Sequence, residues 1–159
     1  MKTLTQYVHD YIDEAFRINK DTKLNKHNYH PKTKDELKEL VKQLLTERGK
    51  DADLNDIDVS EITDMSNLFF GVDIGNIDIS AWDVSNVTEM NSMFWDCEDF
   101  NCDLSNWDVS NLTETRNMFY NCYKFNSDLS KWNVSKLKDM RYMFYNCDKL
   151  KNIPDWFKP

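Results

Sequence analysis

The sequence predicts an α/β fold: a solenoid of about four stacked 25-residue coils, with a parallel sheet on one side, short helices on the other and an N-terminal α-helical cap. Three observations carry that prediction. Trp82, Trp107 and Trp132 recur 25 residues apart, with Ile57 in the same slot one copy earlier. Self-similarity at a fixed period of about 20–50 residues is the sequence signature of stacked repeats. Further columns keep the same register: Val59, Val84, Val109 and Val134; Phe69, Phe94, Phe119 and Phe144; Cys97, Cys122 and Cys147. Finally, 40% hydrophobic and 13% aromatic residues are enough to pack a core, while 3 Gly and 3 Pro leave no room for a Gly-rich phosphate loop or a Pro-rich linker.

Taken in order, the elements start with an apolar face over residues 3–17, formed by Leu4, Tyr7, Val8, Tyr11, Ile12 and Phe16. Its spacing of three and four predicts a helix docked as a cap. Residues 18–31 are polar and basic and read as a loop. Residues 33–48 predict a second helix, in which Thr33 and Glu36 form a capping box, Leu37, Leu40, Val41, Leu44 and Leu45 form the buried stripe, and Gly49 is the stop. The predicted division is 1–50 for the cap, 51–150 for the coils and 151–159 for a C-terminal cap. Each coil opens on L-x-x-L-x-L, as in Leu104, Trp107 and Val109, whose last positions alternate as a short strand does. Each closes on a segment such as Val87, Met90, Met93 and Phe94, whose steps fit a helical turn or two, with Asn86 and Glu89 as its capping box. At the far end Trp156 lies 24 residues after Trp132, so the register slips by one and the tail is expected to lie over the last coil.

The phrases WDVSNVTEMNSMFWDC, WDVSNLTETRNMFYNC and WNVSKLKDMRYMFYNC resemble the BspA-like leucine-rich-repeat family, found also in mycoplasma lipoproteins. The resemblance spans about residues 54–150. It implies a leucine-rich-repeat-type solenoid used for binding, in a family whose members are often exported. The beginning of this sequence shows no apolar signal core, and no run approaches the ~18 apolar residues of a membrane span. The expectation is therefore a cytoplasmic protein of a bacterial cell, possibly phage-encoded, without a membrane partner.

Charge is unevenly placed. Residues 51–115 hold 16 Asp and Glu and no Lys or Arg, within a chain of net charge −8. The flanking blocks are net basic. An acidic surface of that length steers toward a basic protein and repels phosphates, so direct nucleic-acid binding is not expected. The predicted contact surface is the sheet face, with Asp58, Asp83, Asp108, Ser80, Ser105, Asn106, Lys131 and Asn133. The Asp53, Asp78, Asp103, Asp128 column sits before each strand and is expected to be structural, bonding backbone N–H groups in turns.

Chemistry finds few candidates. All three His lie in the first 30 residues, so no His-assisted nucleophile can form in the repeats. Asp51, Asp53 and Asn55 match the start of a calcium loop, but Asp56 stands where Gly is needed and Ile62 where Glu is needed. The four Cys show no chelating spacing and read as reduced packing thiols. No enzyme activity, metal or cofactor is expected. The predicted function is a non-catalytic protein–protein interaction module. The alternatives are a phage or mobile-element inhibitor of a bacterial defence nuclease, and an exported adhesin-like surface protein.

Overall fold

The computed structural model describes residues 27–158; the helix expected over 3–17 lies outside them. Thr33 caps the first element, its Oγ1 accepting from the Glu36 N–H at 3.2 Å, while the Glu36 carboxylate accepts from the Lys32 N–H at 2.7 Å. Helix α1 follows over Lys34–Arg48 and ends at Gly49, whose φ of 88° is open to glycine at little cost. Leu37, Leu40, Val41 and Leu44 are fully buried against the first coil.

Beyond α1 the chain winds through four 25-residue coils stacked in register. Each Trp indole ties its coil to the one before: Trp82, Trp107 and Trp132 donate to the carbonyls of Leu54, Ile79 and Leu104 at 2.9–3.2 Å. The inner Phe rings stack along the axis, Phe69 on Phe94 at 5.3 Å, Phe94 on Phe119 at 5.4 Å and Phe119 on Phe144 at 5.7 Å. Asn101 and Asn126 each donate a backbone N–H to the side-chain oxygen of the Asn 25 residues earlier. The tail keeps the pattern despite its slipped register. Trp156 donates to the Leu129 carbonyl at 2.9 Å and stacks on Trp132 at 6.2 Å.

The predicted α/β class does not hold. Among the described residues α1 is the only helix, and the coils form no sheet and no leucine-rich-repeat solenoid with helices behind it. Pairing between coils is limited to isolated parallel bridges, such as Asp53 with Asp78 and Glu89 with Glu114. The reason lies in where the backbone donors go. Within and just after each L-x-x-L-x-L segment key donors are spent in turns: Trp107 N–H on Leu104 and Leu112 N–H on Val109, with equivalent bonds in the other coils. A donor used three residues back cannot join a ladder.

The predicted helices fail for a related reason. Alternate N–H groups close turns, Met93 on Met90, Trp95 on Ser92 and Cys97 on Phe94, while those between them reach the next coil. Every coil also holds two residues in the left-handed region: Asn67, Ser92, Asn117 and Tyr142 in one column, and Gly71, Asp96, Asn121 and Asn146 in the other. An α-helix accommodates neither feature. Asn86 is no cap; its amide donates to the Ser60 carbonyl at 2.8 Å.

Tyr142 stands out in its column, with φ 57° and 57% exposure. Asn adopts that conformation at lower cost, and Asn already fills the slot at Asn67 and Asn117. Tyr142→Asn should therefore stabilise the protein by about 0.5–1 kcal/mol, read as a raised Tm. A lowered Tm would mean that the exposed ring contributes more than the strain removes.

Candidate interaction surface

The sequence carries Asp-x-Ser in two columns, with Asn55 in place of Ser in the first coil and Asn133 in place of Asp in the fourth, and the structure shows what that spacing does. An Asp carboxylate accepts the N–H two residues on, closing an Asx turn. Asp58 holds Ser60, Asp83 holds Ser85, Asp108 holds Ser110 and Asn133 holds Ser135, all at 3.0–3.2 Å. Asp78, Asp103 and Asp128 hold Ser80, Ser105 and Ser130 in the same way at 2.9–3.0 Å. The two Asp columns therefore do the same structural work, where only the Asp53 column was expected to. Ser80 and Ser105 are turn partners of Asp78 and Asp103, and Asn106 and Lys131 are exposed beside them. With no sheet present, these residues sit on turn corners and not on a sheet face.

Turn geometry also sets the acidity of these groups. Hydrogen bonds from Ser110 hold the Asp108 carboxyl below its ordinary value, as those from Ser80 do for Asp78 and those from Ser105 for Asp103. Asp58 is partly buried, which pushes its pKa up, but bonds from Ser60 and His30 outweigh that and hold it below the ordinary value. In the last coil the Arg141 guanidinium holds Asp139 at about 2.

The acids are neutralised unevenly. Residues 28–30 lie parallel to the first coil, with the Asn28 N–H on the Asp56 carbonyl and the Asp58 N–H on the Tyr29 carbonyl, both at 2.8 Å. This register brings His30 and a row of lysines onto the first coil's acids. His30 meets Asp58 at 3.2 Å, Lys32 meets Glu61 and Lys34 meets Asp64 at 2.5 Å. Arg48 grips both Asp56 oxygens at 2.8 and 2.9 Å. At the far end Arg141 pairs with Asp139 at 2.7 Å. In the middle coils Asp83, Glu89, Asp108 and Glu114 form no ion pair with any described cation.

A second surface feature escaped the sequence reading. Phe70, Trp95, Tyr120 and Tyr145 follow the inner Phe column by one residue and form an outer aromatic row. Successive ring centroids lie 5.7, 5.1 and 4.7 Å apart. Phe70 is 46% and Tyr145 49% exposed. The row is flanked by acids: the Tyr123 hydroxyl is pushed up in pKa by burial and by the charges of Glu98, Asp96 and Asp148. The signal was present as the aromatic residue after each Leu-Phe or Met-Phe pair.

The thiols are inward and inert. Cys122 and Cys147 donate to the Phe94 and Phe119 carbonyls at 3.0 Å, and burial pushes Cys97 and Cys147 up to about 12. All four are free. Among the described residues no three His, Cys, Asp or Glu side chains converge to hold a metal ion, and no helix is long and apolar enough to cross a membrane.

Residues 36–156 match the sequence model of a family described as "Mycoplasma protein of unknown function, DUF285". Neither a curated protein nor a solved structure matches the chain.

Proposed function

We propose that this chain, which belongs to the DUF285 family of mycoplasma proteins, is a non-catalytic protein-interaction module whose middle coils offer acids to a basic partner. One observation carries the reading. The protein's own cations neutralise the acid columns at the first and last coils, and leave Asp83, Glu89, Asp108 and Glu114 without a described counter-ion. Like charges held in adjacent coils repel one another, and a partner supplying Lys or Arg relieves that repulsion while being steered by the field. The BspA-like phrases add that relatives of this repeat type are used for binding; the leucine-rich-repeat architecture does not come with them. The free thiols suit a reducing compartment, so the proposed location is the cytoplasm, which cell fractionation tests.

The partner is the protein that co-purifies with the tagged chain from its host. Asp83→Asn with Asp108→Asn removes two charges and keeps both turns, because Asn133 already serves in that slot. Binding should weaken about tenfold and its salt dependence should flatten. An unchanged affinity and salt slope would remove the middle-coil acids from the interface.

A second reading is favoured by the cation-free stretch over 51–115, which suits docking on basic surfaces that handle nucleic acid. In that reading the chain inhibits a bacterial defence nuclease. Expression of the chain should then restore transformation by a targeted plasmid, and unimpaired interference would exclude it.

A further inference from the structure

In one segment of each coil, the one that begins at Met65, Met90, Thr115 and Met140, the backbone N–H groups that reach a neighbouring coil all point to the coil after. In the first coil the N–H groups of Met65, Asn67 and Phe69 donate to Glu89, Asn91 and Met93. In the second, Met90, Ser92, Phe94 and Asp96 donate to Glu114, Arg116, Met118 and Tyr120. In the third, Thr115, Asn117, Phe119 and Asn121 donate to Asp139, Arg141, Met143 and Tyr145. Within this segment each coil thus accepts from the one before and donates to the one after. In the fourth coil the equivalent donors are Met140, Tyr142, Phe144 and Asn146, and none of them meets a backbone acceptor among the described residues.

The tail does not supply the missing carbonyls. It covers inner side chains instead, with Phe157 against the Phe144 ring at 4.9 Å and the Lys158 N–H on the Met140 sulfur at 3.4 Å. Val134, Leu137, Met140 and Leu150 stay only partly buried, whereas Val109, Leu112 and Phe125 in the coil before are covered.

We propose that this row of four backbone N–H groups is a docking edge for an extended, acidic polypeptide segment, which adds its carbonyls as one further layer of the stack. The donors come from every second residue, and an extended chain presents carbonyls to one side with that same period. The last coil and the tail after it carry Lys138, Arg141, Lys149, Lys151 and Lys158 against Asp139, which Arg141 already engages, Asp148 and Asp155, while Lys136 reaches back to Asn111. That balance selects an acidic segment. A second copy of the chain fits poorly. Two such ends face donors with donors, and the opposite end of the stack is occupied by α1, with Lys34 on Asp64 and Lys38 on the Asn67 carbonyl. The edge is remote in register from Asp83 and Asp108, so it stands independently of the acidic-surface reading.

The test is amide hydrogen exchange by NMR on the full chain. The probe is a synthetic peptide with the sequence of residues 61–73, EITDMSNLFFGVD, which carries three acids and no Lys or Arg. In the free protein the amides of Met140, Tyr142, Phe144 and Asn146 should exchange about a hundredfold faster than those of Thr115, Asn117, Phe119 and Asn121. Saturating peptide should slow all four at least about tenfold. Lys138→Glu with Lys151→Glu should weaken peptide binding about tenfold at unchanged Tm. The proposal is overturned if the four amides are already slow in the free protein, or if the peptide leaves their exchange unaltered. Equal protection by oligouridylate would overturn it too, because the edge would then be a general anion site.

Discussion

Phe119→Ala should destabilise the protein by about 3–5 kcal/mol, among the largest losses expected from a single truncation in the coils. The ring is fully buried and lies against Phe94 at 5.4 Å, Phe125 at 4.1 Å and Phe144 at 5.7 Å. Removing it forfeits the transfer of an aromatic side chain, opens a cavity, and cuts a column of stacked rings at its middle, where each offset pair adds about 0.5–1.5 kcal/mol beyond area. Its neighbours cannot close the gap, because the backbone on either side is pinned by bonds to adjacent coils: the Phe94 N–H reaches Met118 and the Phe119 N–H reaches Met143.

Urea unfolding checks this, with the midpoint falling and the m-value kept. Two comparisons sharpen the test. Phe144→Ala, in the partly covered last coil, should cost clearly less, and Phe70→Ala, 46% exposed, should cost under about 1 kcal/mol. A Phe119→Ala variant no less stable than Phe70→Ala would mean that stacking of successive coils is not what buries the core.

The order of these costs shows which features the sequence made legible. The 25-residue columns marked which residues share a depth in the stack, and Trp82, Trp107, Trp132, Phe94 and Phe119 all lie inside as their spacing implied. Helix α1 was equally plain, since Thr33, Glu36 and Gly49 bracket a single apolar stripe. Secondary structure within the coils was not, because apolar steps of three and four describe a helix and a chain of i→i+3 turns alike.

The deciding residues were polar and less conspicuous. Asp-x-Ser pairs close the turns that replace the strands, and Asn, Asp and Gly in the two left-handed columns replace the helices. The candidate site suffered from the same ambiguity. Asp83 and Asp108 stood out as charges, while their work as turn acceptors needed the serine two residues on to be read with them. Neutralisation of the first coil was out of reach of periodicity, since His30, Lys32 and Lys34 belong to no repeat.

Acidification should unfold this protein cooperatively, and the turn carboxylates set the window. Asp58, Asp64, Asp78, Asp103, Asp108 and Asp128 all have pKa values lowered from 3.8 by bonds they accept in the folded chain, and Asp139 lies at about 2. A depressed carboxyl binds its proton more weakly when folded, so the unfolded chain takes up protons first. The stability these groups contribute is complete above the ordinary carboxylate value and is lost as pH falls through the folded values toward about 2. Between about pH 6 and about pH 2.5 the Tm should fall by more than roughly 10 °C.

Substitution by Asn separates this effect from general charge repulsion, because Asn keeps the turn and cannot titrate, as Asn133 shows. Asp78→Asn, Asp103→Asn, Asp108→Asn and Asp128→Asn combined should lower the Tm near neutrality modestly, by what these charges contribute there, and make it markedly less sensitive to acid. Parallel Tm-against-pH curves for this variant and the parent would place the acid sensitivity elsewhere. The Lys34–Asp64 and Lys32–Glu61 ion pairs would then be the next groups to neutralise.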